Sequence, residues 1–377
     1  GSSTSSSGGS GGGPVGDPPP ANRACVAHDV AVVFEGGQWI EEACPSGWGC
    51  VRGECVEGQC SDECHLGESI SGKDCRLYDI QSGDHVDNDE DALHGRARGY
   101  EKWLRKDTKS LFHGGIVSVK YTNASLSTVD SVYFGDLSMH TGIYLAAEAN
   151  RLSATGSWRA RKNVKKLVEV LDLQFKVSGD PGMLATVVVP AGDDAIREWS
   201  DWDCNDYDRH CNHEYAGSYY DYVGDPSRDM YMGPLLGMPA AYAALGEYDE
   251  EHRAIIREDL MVFAEELIRL RTLPVRYVIN GAEMPVQQVE MRFFIPEYAD
   301  FVDGAVEASV STSNVSDSGD VRGGQEFFPF PKRLFESWPL LSNAPDIPRA
   351  SSAMMVPAII QAAAYVTDGV PAYAERR

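Results

Sequence analysis

Basic residues are scarce in this sequence. Lys and Arg number 33 against 57 Asp and Glu, a formal charge of -24 over 377 residues. That balance repels phosphate backbones and anionic membrane surfaces, and argues against nucleic acid as a partner. Long apolar runs are missing too. None approaches the roughly 20 residues that span a bilayer, so no transmembrane segment is expected, and no basic-then-apolar leader is present. A serine nucleophile elbow, a phosphate loop and a dinucleotide fingerprint are also lacking, which sets aside the enzyme classes built on them. What the chain does have is 43% hydrophobic residues, enough to bury one large core after a small N-terminal module.

Residues 1–22 begin with Gly, Ser and Thr alone and continue into a proline-rich stretch. Such a composition cannot offset its ordering entropy by burial and reads as a tether. Seven cysteines follow in residues 23–80: Cys25, Cys44, Cys50, Cys55, Cys60, Cys64 and Cys75. They lack the paired knuckles of a zinc site, so disulfides are expected, with connectivity open. That density implies export to an oxidising space, the cell envelope or beyond. A flexible start before a cysteine-rich module resembles a mature bacterial lipoprotein beyond its acylated cysteine, which would imply a lipid anchor at a removed N-terminus. A linker added by design has the same composition.

Residues 81–377 are expected to form the main domain. It opens on an acidic run in which Asp84, Asp87, Asp89 and Asp91 stand close together. Oxygen donors on alternate residues can converge on calcium, but no glycine falls at the sixth position and no glutamate at the twelfth. An acidic helix start is the other reading, because carboxylates favour a helix N-terminus. Residues 115–134 then alternate as strands do. No cofactor beyond calcium is indicated.

A repeat organises the rest. Gly224-Asp225-Pro226-Ser227-Arg228-Asp229 opens into an apolar run closing at Gly246; Gly135-Asp136-Leu137-Ser138 opens one closing at Gly156; a third runs from Ser352 to Gly369. The register is shared, with Tyr144, Pro234 and Pro357 each standing twelve positions before the closing glycine. We read three copies of one helical hairpin, with a small-residue first helix and an amphipathic second one. Pro234 and Pro239 predict a kink or a late start in the second copy. Asn280-Gly281 between two β-rich stretches predicts a hairpin.

On these repeated Gly-Asp-x-Ser turns and alanine-rich helices, residues 136–377 resemble the six-hairpin, glycosidase-like α/α toroids. The resemblance implies a mainly α fold with short β insertions and a carbohydrate-active enzyme, a hydrolase or a lyase. Only three hairpins are legible, and the third stops at Arg377, as in a fragment or an irregular relative.

Between the first two hairpins lies the segment richest in reactive side chains, residues 201–229. Cys204 and Cys211 are expected to close a local disulfide, worth roughly 2–3 kcal/mol in the chain-entropy model. With both reduced, they and His210 and His213 would instead form a metal set. Carboxylates, histidines and aromatic rings are what a sugar-processing cleft uses. The expected catalytic residues are Asp229, Asp225, Glu214 and His140; Trp202, His213, Tyr219, Tyr220, Arg228 and Tyr231 are expected to contact a glycan. Asp225 as a helix cap and His140 as a core histidine are the structural alternatives. In function, the alternative is a non-catalytic surface protein that binds a glycan or a protein.

Overall fold

The computed structural model describes residues 22–27, 29–46, 48–51, 53–57, 104, 111–123, 128–194, 196, 202–310, 320–327 and 350–376. Asp84, Asp87, Asp89 and Asp91, expected as calcium ligands, lie outside the described residues, as do Cys60, Cys64 and Cys75. The chain divides into two compact units. One comprises Gly1–Asp107 with Asn150–Lys162; the other comprises Thr108–Ala149 with Asn163–Arg377.

In the first unit, β1 (Arg23–Ala27), β2 (Val30–Glu35) and β3 (Gln38–Ala43) form an antiparallel sheet, and β4 (Trp48–Val51) pairs with β5 (Glu54–Glu57). Gly36 and Gly37 take positive φ in the tight turn between β2 and β3. So short a stretch buries little beyond Ala24, Cys25, Ala31, Val32 and Val33. Covalent bonds make up the deficit: Cys25 is joined to Cys50 and Cys44 to Cys55, as expected of a disulfide module.

The second unit starts with two hairpins, β6 (Leu111–Phe112) with β7 (Gly115–Ile116) and β8 (Ser118–Tyr121) with β9 (Val129–Tyr133). The first repeat follows as α1 (Leu137–Thr155) and α2 (Trp158–Lys176), of which Asn150–Lys162 falls to the first unit. In α2 the stripe Val164, Leu167, Val168, Leu171 and Phe175 is buried. The 3-10 turn Arg228–Tyr231 then leads into α3 (Met232–Ala244), which is followed by α4 (Glu250–Ile268); the third repeat is α5 (Ala350–Thr367). Helix α3 starts two residues before Pro234 and carries Pro239 inside it. Glycines explain the small-residue first helices. A Cβ on Gly142 of α1 would lie 1.9 Å from the carbonyl carbon of Gly233 in α3, so the two backbones touch. Behind them Tyr231 stacks on Phe263 with centroids 4.8 Å apart, and Phe175 and Phe327 complete an aromatic core.

The mainly α toroid is overturned. Among the described residues 40% are helical and 33% are in strands, because described segments between the helices form sheets and not further hairpins of helix. In one sheet β10 (Val187–Pro190) and β11 (Arg209–Tyr215) flank β12 (Ser218–Val223), all antiparallel. The larger sheet is mixed. Its strand β13 (Arg271–Ile279) pairs with β14 (Ala282–Glu283) and β15 (Gln287–Met291) on one side and in parallel with β17 (Val306–Val310) on the other. Asn280 and Gly281 both have positive φ, as the two-residue turn between β13 and β14 requires. Short β16 (Phe294–Pro296) pairs with β19 (Gly324–Glu326), and β18 (Asp320–Arg322) extends the sheet beyond β17. Leu273, Val275, Tyr277, Met291, Phe294, Val306 and Ala308 make one apolar cluster on this sheet. Among the described residues no helix is long and apolar enough to cross a membrane.

Candidate functional site

The site grows from the β11–β12 hairpin. Ala216 and Gly217 take positive φ at its turn. Opposite Tyr222 to Tyr220, strand β11 spends one extra residue between His210 and His213, a bulge. Asn212 in that bulge has φ 54°, and its N–H donates to Asp221 Oδ1 at 2.8 Å. The other Asp221 oxygen accepts from Gly192 N–H at 3.0 Å, so one buried carboxylate ties the bulge to the loop after β10. Cys204 is bonded to Cys211, which clamps the bulge from the other side as expected. Trp202 donates from Nε1 to Cys211 Sγ at 3.3 Å. The bulge fixes His210, whose ring stacks on Tyr222 at 4.5 Å.

Beneath His210 stand two carboxylates. Glu297 caps the 3-10 turn Tyr298–Asp300 and Asp300 ends it, and residues three apart in such a turn point the same way. Both are buried, at 0% and 2% exposure. His210 Nε2 lies 3.3 Å from Asp300 Oδ1 and 3.7 Å from Glu297 Oε1. These atoms converge without being aligned for hydrogen bonding: among the described residues, His210 Nε2, Glu297 Oε1 and both Asp300 oxygens find no hydrogen-bond partner. One ligand atom from each residue lies within 4.8 Å of the others, the one such group of three potential metal ligands among the described residues. Burial and the Asp300 carboxylate push Glu297 well above the usual carboxylate range, and burial raises Asp180 as well.

Above these carboxylates runs the repeated turn. Glu297 Oε2 accepts from Asp225 N–H at 2.8 Å, and a Cβ on Gly224 would lie 1.9 Å from Glu297 Oε1. The Gly-Asp pair of the motif is therefore shaped around Glu297. Asp225 itself sits at φ 46°, a left-handed conformation that costs most non-glycine residues about 1–2 kcal/mol and Asp less. Its Oδ2 accepts from the Tyr207 hydroxyl at 3.0 Å, and the Arg322 guanidinium lies 4.2 Å above the Tyr207 ring. Tyr207 is 47% exposed. This is a surface on which a carboxylate, a phenol and a guanidinium meet.

The remaining expected residues scatter. Asp229 is exposed and accepts a hydrogen bond from the Ser227 hydroxyl; Arg228 is half-buried beside it. Glu214 and Tyr219 are exposed on the β11–β12 hairpin, the Tyr219 hydroxyl donating to Glu214 at 3.4 Å, and Tyr220 is half-buried there. His213 meets Tyr222 edge-on at 5.3 Å. His140 is half-buried on α1. Tyr231 is no surface residue: it is fully buried, accepting from Leu184 N–H at 3.1 Å and donating to Gly182 O at 3.4 Å. A phenol inside an aromatic core must spend its hydroxyl on the backbone, which removes it from any ligand. Glu297 and Asp300 escaped the sequence reading; their one signal is a pair of acids directly after the apolar run Phe294–Pro296.

Neither a known protein family, nor a curated protein, nor a solved structure matches this chain.

Proposed function

We propose that the protein is exported and acts on a glycan at the surface formed by Tyr207, Asp225 and Arg322, with glycoside hydrolysis as its activity. Export is supported by three disulfides among the described residues. The observation that carries the site is Asp225. A non-glycine residue in a left-handed turn, anchored through its own N–H to a buried glutamate, presents its carboxylate to an exposed phenol. Carboxylates beside aromatic rings bind sugar hydroxyls and pyranose faces, and an ionised carboxylate can attack or activate water at the anomeric carbon. Asp229, exposed four residues further on, is the second carboxylate of this reading.

The second reading is a non-catalytic glycan binder. It is favoured by the burial of Glu297 and Asp300, which keeps both carboxylates away from a substrate bound at the surface. One experiment separates the two. A glycan panel is assayed for release of reducing ends and, in parallel, for binding, with wild type and Asp225→Asn. Asparagine tolerates the left-handed turn, so the variant should keep its melting point within a few degrees while losing turnover at least a hundredfold. Binding without turnover in the wild type selects the binder; no binding to any glycan, or full activity in Asp225→Asn, overturns the site.

A further inference from the structure

The group beneath the turn carries an inference independent of the glycan reading. We propose that His210, Glu297 and Asp300 bind a divalent first-row metal ion, with Zn2+ the best fit. Buried carboxylates without hydrogen-bond partners are costly, and a cation among them removes that cost. Here the unpartnered atoms number four, and they come from three residues on two separate chain segments.

Chemistry narrows the ion. One imidazole nitrogen with two carboxylates suits zinc and its neighbours better than calcium or magnesium, which take oxygen almost exclusively. Geometry points the same way. A tetrahedral ion about 2.0–2.1 Å from each ligand separates the ligand atoms by about 3.3–3.4 Å, against 3.3 and 3.7 Å from His210 Nε2 to the two carboxylates. The surroundings fix the ligands from outside. The bulge and the Cys204–Cys211 bond hold His210, the Asp225 N–H orients Glu297 through Oε2 and leaves Oε1 for the ion, and Tyr222 stacks on the imidazole. Such an ion would join β11, the Gly224-Asp225 turn and the 297–300 turn, an architectural role.

The test uses the full chain, freed of metal with a chelator and titrated with Zn2+ by calorimetry and with Co2+ by visible absorption. One equivalent should bind and raise the thermal midpoint, and Co2+ should give tetrahedral bands without thiolate charge transfer. Asp300→Asn and His210→Ala should each weaken binding at least tenfold, while Asp303→Asn, on an exposed carboxylate nearby, should leave it unchanged. Should either variant fail to fold, the wild type decides alone: Zn2+ must shift the His210 Nε2 resonance in a 15N spectrum. No saturable binding, undiminished binding in folded Asp300→Asn and His210→Ala, or a His210 resonance indifferent to Zn2+ would overturn the proposal. Undiminished binding would place the ion elsewhere, the acidic run 84–91 being the first place to look.

Discussion

Two buried acidic clusters in the second unit invite comparison. At the first, Asp259 is 3% exposed and lies next to Asp172, and Lys176 reaches both, bonded to Asp172 and 3.3 Å from Asp259. At the second, Glu297 and Asp300 are as deeply buried, yet the basic side chain that reaches them is the imidazole of His210. Burial raises both Asp259 and Glu297 well above the ordinary carboxylate range, but the opposing influences differ: an ammonium at the first, a backbone N–H at the second. The difference teaches that this fold can supply a permanent cation to a carboxylate as buried as Asp259, beside the half-buried Asp172, and does so at the first cluster. At the other, it supplies a metal-binding nitrogen.

The comparison breaks most visibly at Lys176. Removing one partner of a buried ionic group leaves the rest uncompensated, so Lys176→Met should cost about 2 kcal/mol, allowing for water at a lysine that is partly exposed. Denaturant unfolding at neutral pH measures it. The same pair has a pH signature. Burial opposes the lysine's charge, but Asp259 and Asp172 outweigh it and push Lys176 up to about 12 from 10.5. A group whose folded value is raised stabilises fully below the unfolded value and loses that contribution as pH climbs through the folded one. The wild type's advantage over Lys176→Met should therefore hold at pH 9 and shrink between 10.5 and about 12. An advantage unchanged to pH 12 would show that the ammonium is not the stabilising partner.

At the second cluster the first effect to expect is steric. Gly224→Ala places a methyl group against Glu297 and should cost about 1–2 kcal/mol. It should also weaken Zn2+ binding in the calorimeter, because Glu297 Oε1 must move. An alanine variant as stable and as metal-competent as wild type would mean that Glu297 is not fixed by the turn.

The two clusters also differ in how far sequence exposes them. Periodicity locates α2 and α4, whose stripes Val164, Leu167, Val168, Leu171, Phe175 and Ile256, Leu260, Phe263, Leu267 are buried, though Leu270, on the same expected α4 face, is exposed; the repeated turn locates α1, and Asn280-Gly281 marks its turn because few other dipeptides take two positive φ values. The Cys204–Cys211 bond was legible from their spacing. The β11–β12 hairpin was not. Arg209, His210, His213 and Glu214 make β11 look like a polar loop, and its bulge breaks the alternation that would have marked a strand. The toroid expectation failed for a related reason: a repeat records local helical hairpins, while the sheets between them depend on pairings such as β13 with β17, which no local pattern shows. His210 was legible as a metal ligand only with Cys204 and Cys211, because its actual neighbours stand almost ninety residues away and meet it through tertiary structure.

The stability of Asp300→Asn in excess chelator tests most directly that the second cluster lacks a built-in cation. An uncompensated buried carboxylate replaced by a neutral amide of the same shape should leave the protein at least as stable as wild type, with a gain of up to about 1 kcal/mol. Added Zn2+ should then reverse the order by stabilising the wild type alone. If Asp300→Asn instead loses 1–2 kcal/mol or more in chelator, His210 already serves as the imidazolium partner of Asp300, and the contrast with Lys176 disappears.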